Sequence, residues 1–145
     1  MRGLTLEELV AKREAEWGGV KRDMEVVRAV LRHIEDRTDL APRRVTIPGL
    51  DDDVVQAHVW MLHAEGMLNT TNPSHPLRSA VPEFKVRDLT WQGHELAAVL
   101  SETSWARMKG KLSPVEMAGM SLKALLEVGT ALGAAWAKGK LGLSD

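Results

Sequence analysis

Five histidines, at positions 33, 58, 63, 75 and 94, are the residues in this chain best suited to hold a metal or move a proton. A metal site needs two or three imidazoles or carboxylates converging on one point, and helical pairs usually read H-x-x-x-H or H-E-x-x-H. Neither arrangement occurs. His94 can donate to a carboxylate such as Glu95 or Asp88, and His58 lies beside an apolar stripe. Both are better explained as structural histidines bonded to a backbone or carboxylate group than as ligands. Asp51-Asp52-Asp53 matches no calcium loop and suits a helix start instead. Ser74, Ser79, Ser101, Ser104 and Ser113 sit in no nucleophile elbow, and Gly18-Gly19 lack the phosphate-loop pattern. We therefore expect no catalytic residues, no metal, no cofactor and no enzyme.

What remains is the chemistry of binding. Arg43 and Arg44 stand together, and Arg78, Lys85 and Arg87 follow in a second basic group, so phosphates are one candidate ligand. Gln56 could read a base edge. Against this, Asp51–Asp53 would repel phosphates at the leading end of the same helix, which has no Arg or Lys between Asp51 and Glu65. The rival chemistry is apolar. Trp60 is expected on an outward helix face, and Leu125, Gly129, Leu132, Gly133 and Trp136 form a surface on the last helix. Aromatic anchors of this type occupy the centres of protein interfaces. The alternative for Trp60 is packing against the N-terminal arm, and for Trp136 packing against the domain.

These residues need elements to position them. The spacing predicts a short helix over 4–16, ended by Gly18-Gly19, and an amphipathic helix over 21–37 with Met24, Val27, Leu31 and Ile34 on one face. Pro42 and Pro48-Gly49 bracket a β-branched stretch at 44–47 that reads as a strand. The central helix follows at about 52–65, led by three aspartates and stopped by Gly66. There is room before it for at most one extra turn. Residues 67–71 read as a strand, 72–82 as a proline-broken tip, and 83–90 as a strand with Phe84, Val86 and Leu89 inward and Lys85 and Arg87 outward. Thr90 caps a helix reaching about Met108, and Gly93 in its first turn permits close packing. After a break at 110–113, a helical turn and then a helix over 121–137 end the prediction.

The order helix, strand, helix, glycine, hairpin, helix suggests an α+β winged helix-turn-helix-like domain with extra N- and C-terminal helices. The expected bounds are an arm at 1–18, the winged-helix domain at 19–108 and an extension at 109–145. The stretches K-R-D-M at 21–24, H-V-W-M-L-x-x-x-G-M-L at 58–68 and L-T-W-Q-G-H-E at 89–95 resemble an uncharacterised family of bacterial and prophage proteins, domain of unknown function 2513. The Ser104-Trp105 step and the SLKALLEV run at 121–128 extend the resemblance, which covers roughly 19–128. The chain departs from the family pattern at Ala57, where an aromatic is expected, and in the arm before Gly18. The resemblance implies a winged-helix core and, through winged helices in general, a DNA-binding or phage-associated regulatory protein, with a protein-contact adaptor as the alternative that the surface chemistry alone favours.

Lys plus Arg total 19 against 20 Asp plus Glu, a net charge of −1, so the chain lacks the bulk basicity of a nonspecific nucleic-acid binder. At 44% hydrophobic it can bury a core, and with no cysteine it has no disulfide framework. No leader peptide or membrane-spanning run is expected. The expected setting is cytoplasmic and the expected partners are double-stranded DNA or another protein. The C-terminal helix, apolar around much of its circumference, is expected to form a homodimer.

Overall fold

The computed structural model describes residues 21–71 and 83–140. The expected arm at 1–18 and the tip at 72–82, with Arg78, lie outside the described residues. The chain divides into two compact units, one running to His94 and the other starting at Glu95.

In the first unit, helix α1 spans Met24–Glu35 and starts where its sequence provides a cap: the Asp23 carboxylate accepts from the Glu25 amide at 2.9 Å. Val27, Val30, Leu31 and Ile34 form its buried stripe, as the periodicity predicts. Strand β1 is only Arg43–Arg44, shorter than expected, because the chain leaves the ladder at Val45 for the turn closed by Leu50 N–H on the Ile47 carbonyl (3.2 Å). Helix α2 spans Asp52–Ala64 and packs on α1. Asp51 caps it by accepting from the Asp53 and Val54 amides. Its end is closed by a pair of bonds, Met67 N–H to the Leu62 carbonyl (2.9 Å) and Gly66 N–H to the His63 carbonyl (3.0 Å). That geometry places residue 66 at φ +76°, which glycine adopts without strain, and it brings the buried Met67 over the buried Leu62.

Strand β2 (Leu68–Thr70) then pairs antiparallel with β3 (Lys85–Leu89), and β3 pairs on its other side with β1. The result is a small open three-stranded antiparallel sheet in the order β1-β3-β2. The expected alternation holds from Phe84 to Arg87, with Phe84 and Val86 buried and Lys85 and Arg87 facing solvent. Leu89, of the same parity as Lys85, is buried as well because the register passes over Arg87 and returns Leu89 to the face of Val86. Arg37 reaches the central strand of this sheet, donating to the Val86 carbonyl at 2.6 Å and also to the Ala41 carbonyl. Helix α3 (Trp91–Val99) begins straight after β3. Thr90 accepts from the Gly93 amide at 3.1 Å and donates to the Gly66 carbonyl at 2.7 Å, tying the helix start to the end of α2.

The second unit holds the rest of α3, then α4 (Glu102–Lys111), α5 (Pro114–Gly119) and α6 (Leu122–Lys140). The single helix expected from Thr90 to Met108 is two helices, parted at Leu100-Ser101, with Ser101 in an extended conformation at the start of α4. The reason is helical phase. At about 100° per residue, an unbroken helix would carry Trp105 to the side opposite Leu96. Both are buried, and the break makes that possible. Helix α5 opens with Pro114 and a reciprocal cap in which Ser113 and Glu116 bond each other's backbone amides. Helix α4 packs on α6, whose Leu122, Leu125 and Leu126 are buried.

Candidate interaction surfaces

The basic residues named from sequence have different surroundings. Arg44 is held between two carboxylates, Asp52 in the first turn of α2 and Glu83 at 2.6 Å, and these hold its guanidinium firmly in the charged form. Arg43 is more exposed and lies 3.3 Å from Asp39. The Asp39 carboxyl is held below the usual carboxylate range, first by the Ala41 amide and then by Arg43. Lys85 and Arg87 project from the solvent side of the central strand, and among the described residues neither has an acidic partner. This is the part of the basic group most open to a phosphate.

Gln56 was expected to face outward, and it does not. It is buried, its amide nitrogen donating to the Val45 carbonyl at 2.7 Å. The five consecutive residues Val55–Val59 are all buried, so α2 is packed around most of its girth at that level. A side chain committed to the β1–α2 connection cannot reach a base edge. Trp60 is also less exposed than expected: it is half-buried and packs against Ala57 and Met61. His63 is partly buried too, bonded to the Thr70 hydroxyl (2.8 Å) with its ring 4.4 Å from that of Phe84. The exposed surface of α2 is therefore mainly its acidic leading turn.

The residue that sequence reasoning missed is Trp91. It is 80% exposed at the first position of α3, and His94 follows one turn later. Adjacent helical turns face the same way. His94 lies 3.7 Å from an Asp88 oxygen and 3.9 Å from a Glu35 oxygen, so polar groups border the tryptophan's helix face. The available signal was local: Thr90 is a cap, and a large aromatic immediately after a cap begins a turn rather than a core stripe.

On α6 the expected surface splits in two. Leu125 is buried, and Gly129 faces Val99, where a Cβ on residue 129 would stand 2.7 Å from that valine's Cβ. These two positions serve the interior of the second unit and are corrected from surface to core. Leu132 and Gly133 are half-buried, with open space beside Gly133, and Trp136 is 50% exposed with the Arg107 guanidinium 4.8 Å above its ring.

Among the described residues no group of three or more His, Cys, Asp or Glu side chains is placed to hold a metal ion, and no helix is long and apolar enough to cross a membrane. An uncharacterised protein of Haemophilus influenzae (strain ATCC 51907 / DSM 11121 / KW20 / Rd) is 28% identical over 116 residues, covering 75% of this chain and 92% of that protein. No solved structure matches the chain. The sequence profile of the hypothetical-protein family DUF2513 matches residues 21–118, more than half the chain and the region containing every element from α1 through most of α5. With two-thirds of its length under that profile, the chain belongs to the DUF2513 family.

Proposed function

We propose that this chain is a non-enzymatic winged-helix-type module that binds another protein, with Trp91 at the centre of the contact. The observation that carries this reading is the 80% exposure of a tryptophan on a well-ordered helix start, tied down by the Thr90 bonds to Gly66 and Gly93. A large indole displayed on a rigid mount is the side chain most often found at interface hot spots. The helix that a DNA-binding winged helix would insert in the major groove argues the same way. In α2 that helix leads with Asp51–Asp53, and its one base-reading amide, Gln56, is buried.

The test is photo-crosslinking in the producing cells with a benzophenone side chain at position 91, compared with position 115. Val115 is 78% exposed and apolar, so it controls for accessibility alone. The expected result is one discrete protein adduct from position 91 and none from position 115. Equal or absent crosslinking at both positions would overturn the reading.

One observation favours a second reading, DNA binding by the sheet in a regulatory or phage-associated role. Lys85 and Arg87 project to solvent from β3, and Arg44, opposite Lys85 on the neighbouring strand, shares that face, with Arg43 next to it opposite Val86 and Arg78 in the same basic group by sequence. On this reading duplex affinity falls steeply with salt and is lost in Lys85→Ala/Arg87→Ala. Titration of a labelled duplex at low and moderate ionic strength separates the two proposals.

A further inference from the structure

His58 is an ionisable group that neither binding reading uses. It is fully buried on α2, and both ring nitrogens are engaged. Nε2 accepts from the Asp23 amide at 2.8 Å, and Nδ1 lies 2.7 Å from the Val54 carbonyl oxygen. A backbone amide can only donate and a carbonyl can only accept, so the ring is neutral with its proton on Nδ1. Asp23 has a second task. Its carboxylate caps α1 through the Glu25 amide. One residue thus joins α1 to α2 by its backbone and starts α1 by its side chain.

A proton on Nε2 breaks this arrangement. The imidazolium has two donors and no acceptor, so the Asp23 N–H would face another N–H. The charged groups acting on the ring come from the segment entering α1, the Asp23 carboxylate and the Arg22 guanidinium, while α2 contributes the uncharged Val54 carbonyl. Of these only the carboxylate can offer the new N–H a charged acceptor. The Glu25 amide already holds one oxygen of that carboxylate, so turning the carboxylate toward the ring competes with the cap.

We propose that His58 and Asp23 form an acid-sensitive latch: protonation of His58 exchanges the Asp23 amide for the Asp23 carboxylate, which uncaps α1 and opens its first turn while the rest of the helix stays packed. The opening is confined because of where burial lies. Lys21 and Asp23 are exposed, whereas Val27, Val30, Leu31 and Ile34 are buried. Freeing the backbone from Asp23 to Glu25 uncovers little apolar surface, whereas unpacking the Val26 and Val27 side chains and the stripe behind them would uncover a large amount. Burial pushes the His58 pKa below the ordinary histidine value, the Val54 carbonyl and Asp23 push it up, and Arg22 pushes it down. The closed latch therefore disfavours the proton. It holds fully above the ordinary histidine pKa and weakens as pH falls below it.

The test follows the His58 ring signal by NMR in the full chain from about pH 7.5 to about pH 4.5, alongside amide hydrogen exchange. The expected result, after correction for intrinsic rates, is a five- to tenfold (roughly one lost N-cap) rise in exchange at Glu25 and Val27, whose amides bond the Asp23 carboxylate and carbonyl, over the range where His58 titrates. The Leu31 and Ile34 amides stay unchanged. His58→Gln retains an acceptor but no titration, so its first-turn exchange should not respond to pH. Asp23→Asn keeps a capping oxygen and removes the charge, so it folds even if His58→Gln does not, and its His58 should titrate lower. Titration of His58 with unchanged first-turn exchange overturns the proposal, as does simultaneous opening of the whole of α1. So does an Asp23→Asn chain in which His58 titrates as before.

Discussion

The α-carbon of Gly93 faces the backbone carbonyl of Met67 so closely that a Cβ on residue 93 would lie 2.1 Å from that oxygen. The same oxygen accepts the Thr90 amide at 3.0 Å, so it cannot swing aside without losing a bond. The first turn of α3 is thus seated directly on the chain leaving α2. Gly93→Ala should cost about 1–3 kcal/mol of stability, the range for forcing atoms into a filled space, and fall at its upper end because the atom met is backbone with no side chain to move. Urea denaturation measures it, and a loss under about 0.5 kcal/mol would mean the seat is looser than described.

Two glycines on α6 should respond in opposite directions. Gly129→Ala places its methyl 2.7 Å from Val99 and should destabilise by about 1–3 kcal/mol. Gly133→Ala meets nothing within 4 Å and should stabilise by about 0.5–1 kcal/mol through helix propensity. If α6 joins two copies, it must do so through Leu132, Gly133 and Trp136. Sedimentation equilibrium then shows a dimer that Trp136→Ser dissociates, and a chain monomeric at micromolar concentration excludes this contact.

Gln56 offers a separation of stability from binding. Gln56→Leu leaves the Val45 carbonyl without its 2.7 Å donor and should cost about 1–3 kcal/mol, the range for orphaning a buried acceptor. Any duplex affinity of the folded variant should equal that of the parent. A stable variant with weakened duplex binding would put the amide outside.

Asp39 supplies a prediction in pH. Its folded pKa lies below the ordinary aspartate value, with the Ala41 amide the main cause. A depressed carboxylate pKa contributes stability that is present above the unfolded value and is lost as pH falls through the folded one. The Asp39 carboxyl signal should therefore titrate below the ordinary aspartate range in an NMR series. Arg43→Ala should raise it part of the way back.

The elements best read from sequence are those fixed by local chemistry. Asp51 and Gly66 bound α2 because caps act within one turn, and Phe84 and Val86 turn inward because a strand has a period of two. Leu89 has the other parity and joins them only because the register skips Arg87, a bulge the sequence pattern does not announce. Gln56 and Trp60 were misplaced for a different reason. A helix buried along Val55–Val59 has no single apolar stripe, so its pattern does not tell which polar residue is outside. The break at Leu100-Ser101 was readable in principle from the conflict of phase between Leu96 and Trp105. The two fates of Gly129 and Gly133 were not, since they depend on Val99, thirty positions away in the first case.

The edges of the sheet have a consequence for how this molecule can be approached. Strand β1 offers two residues, both arginines, with Arg37 bonded to the Val86 carbonyl nearby, and β2 offers three with a register shift at Asn69/Thr70. An incoming strand finds too little straight, uncharged backbone on either side to extend the ladder. The described sheet is closed to strand addition, and with it to the edge-to-edge stacking that leads to aggregation. Recognition along the described strands has to be made with side chains.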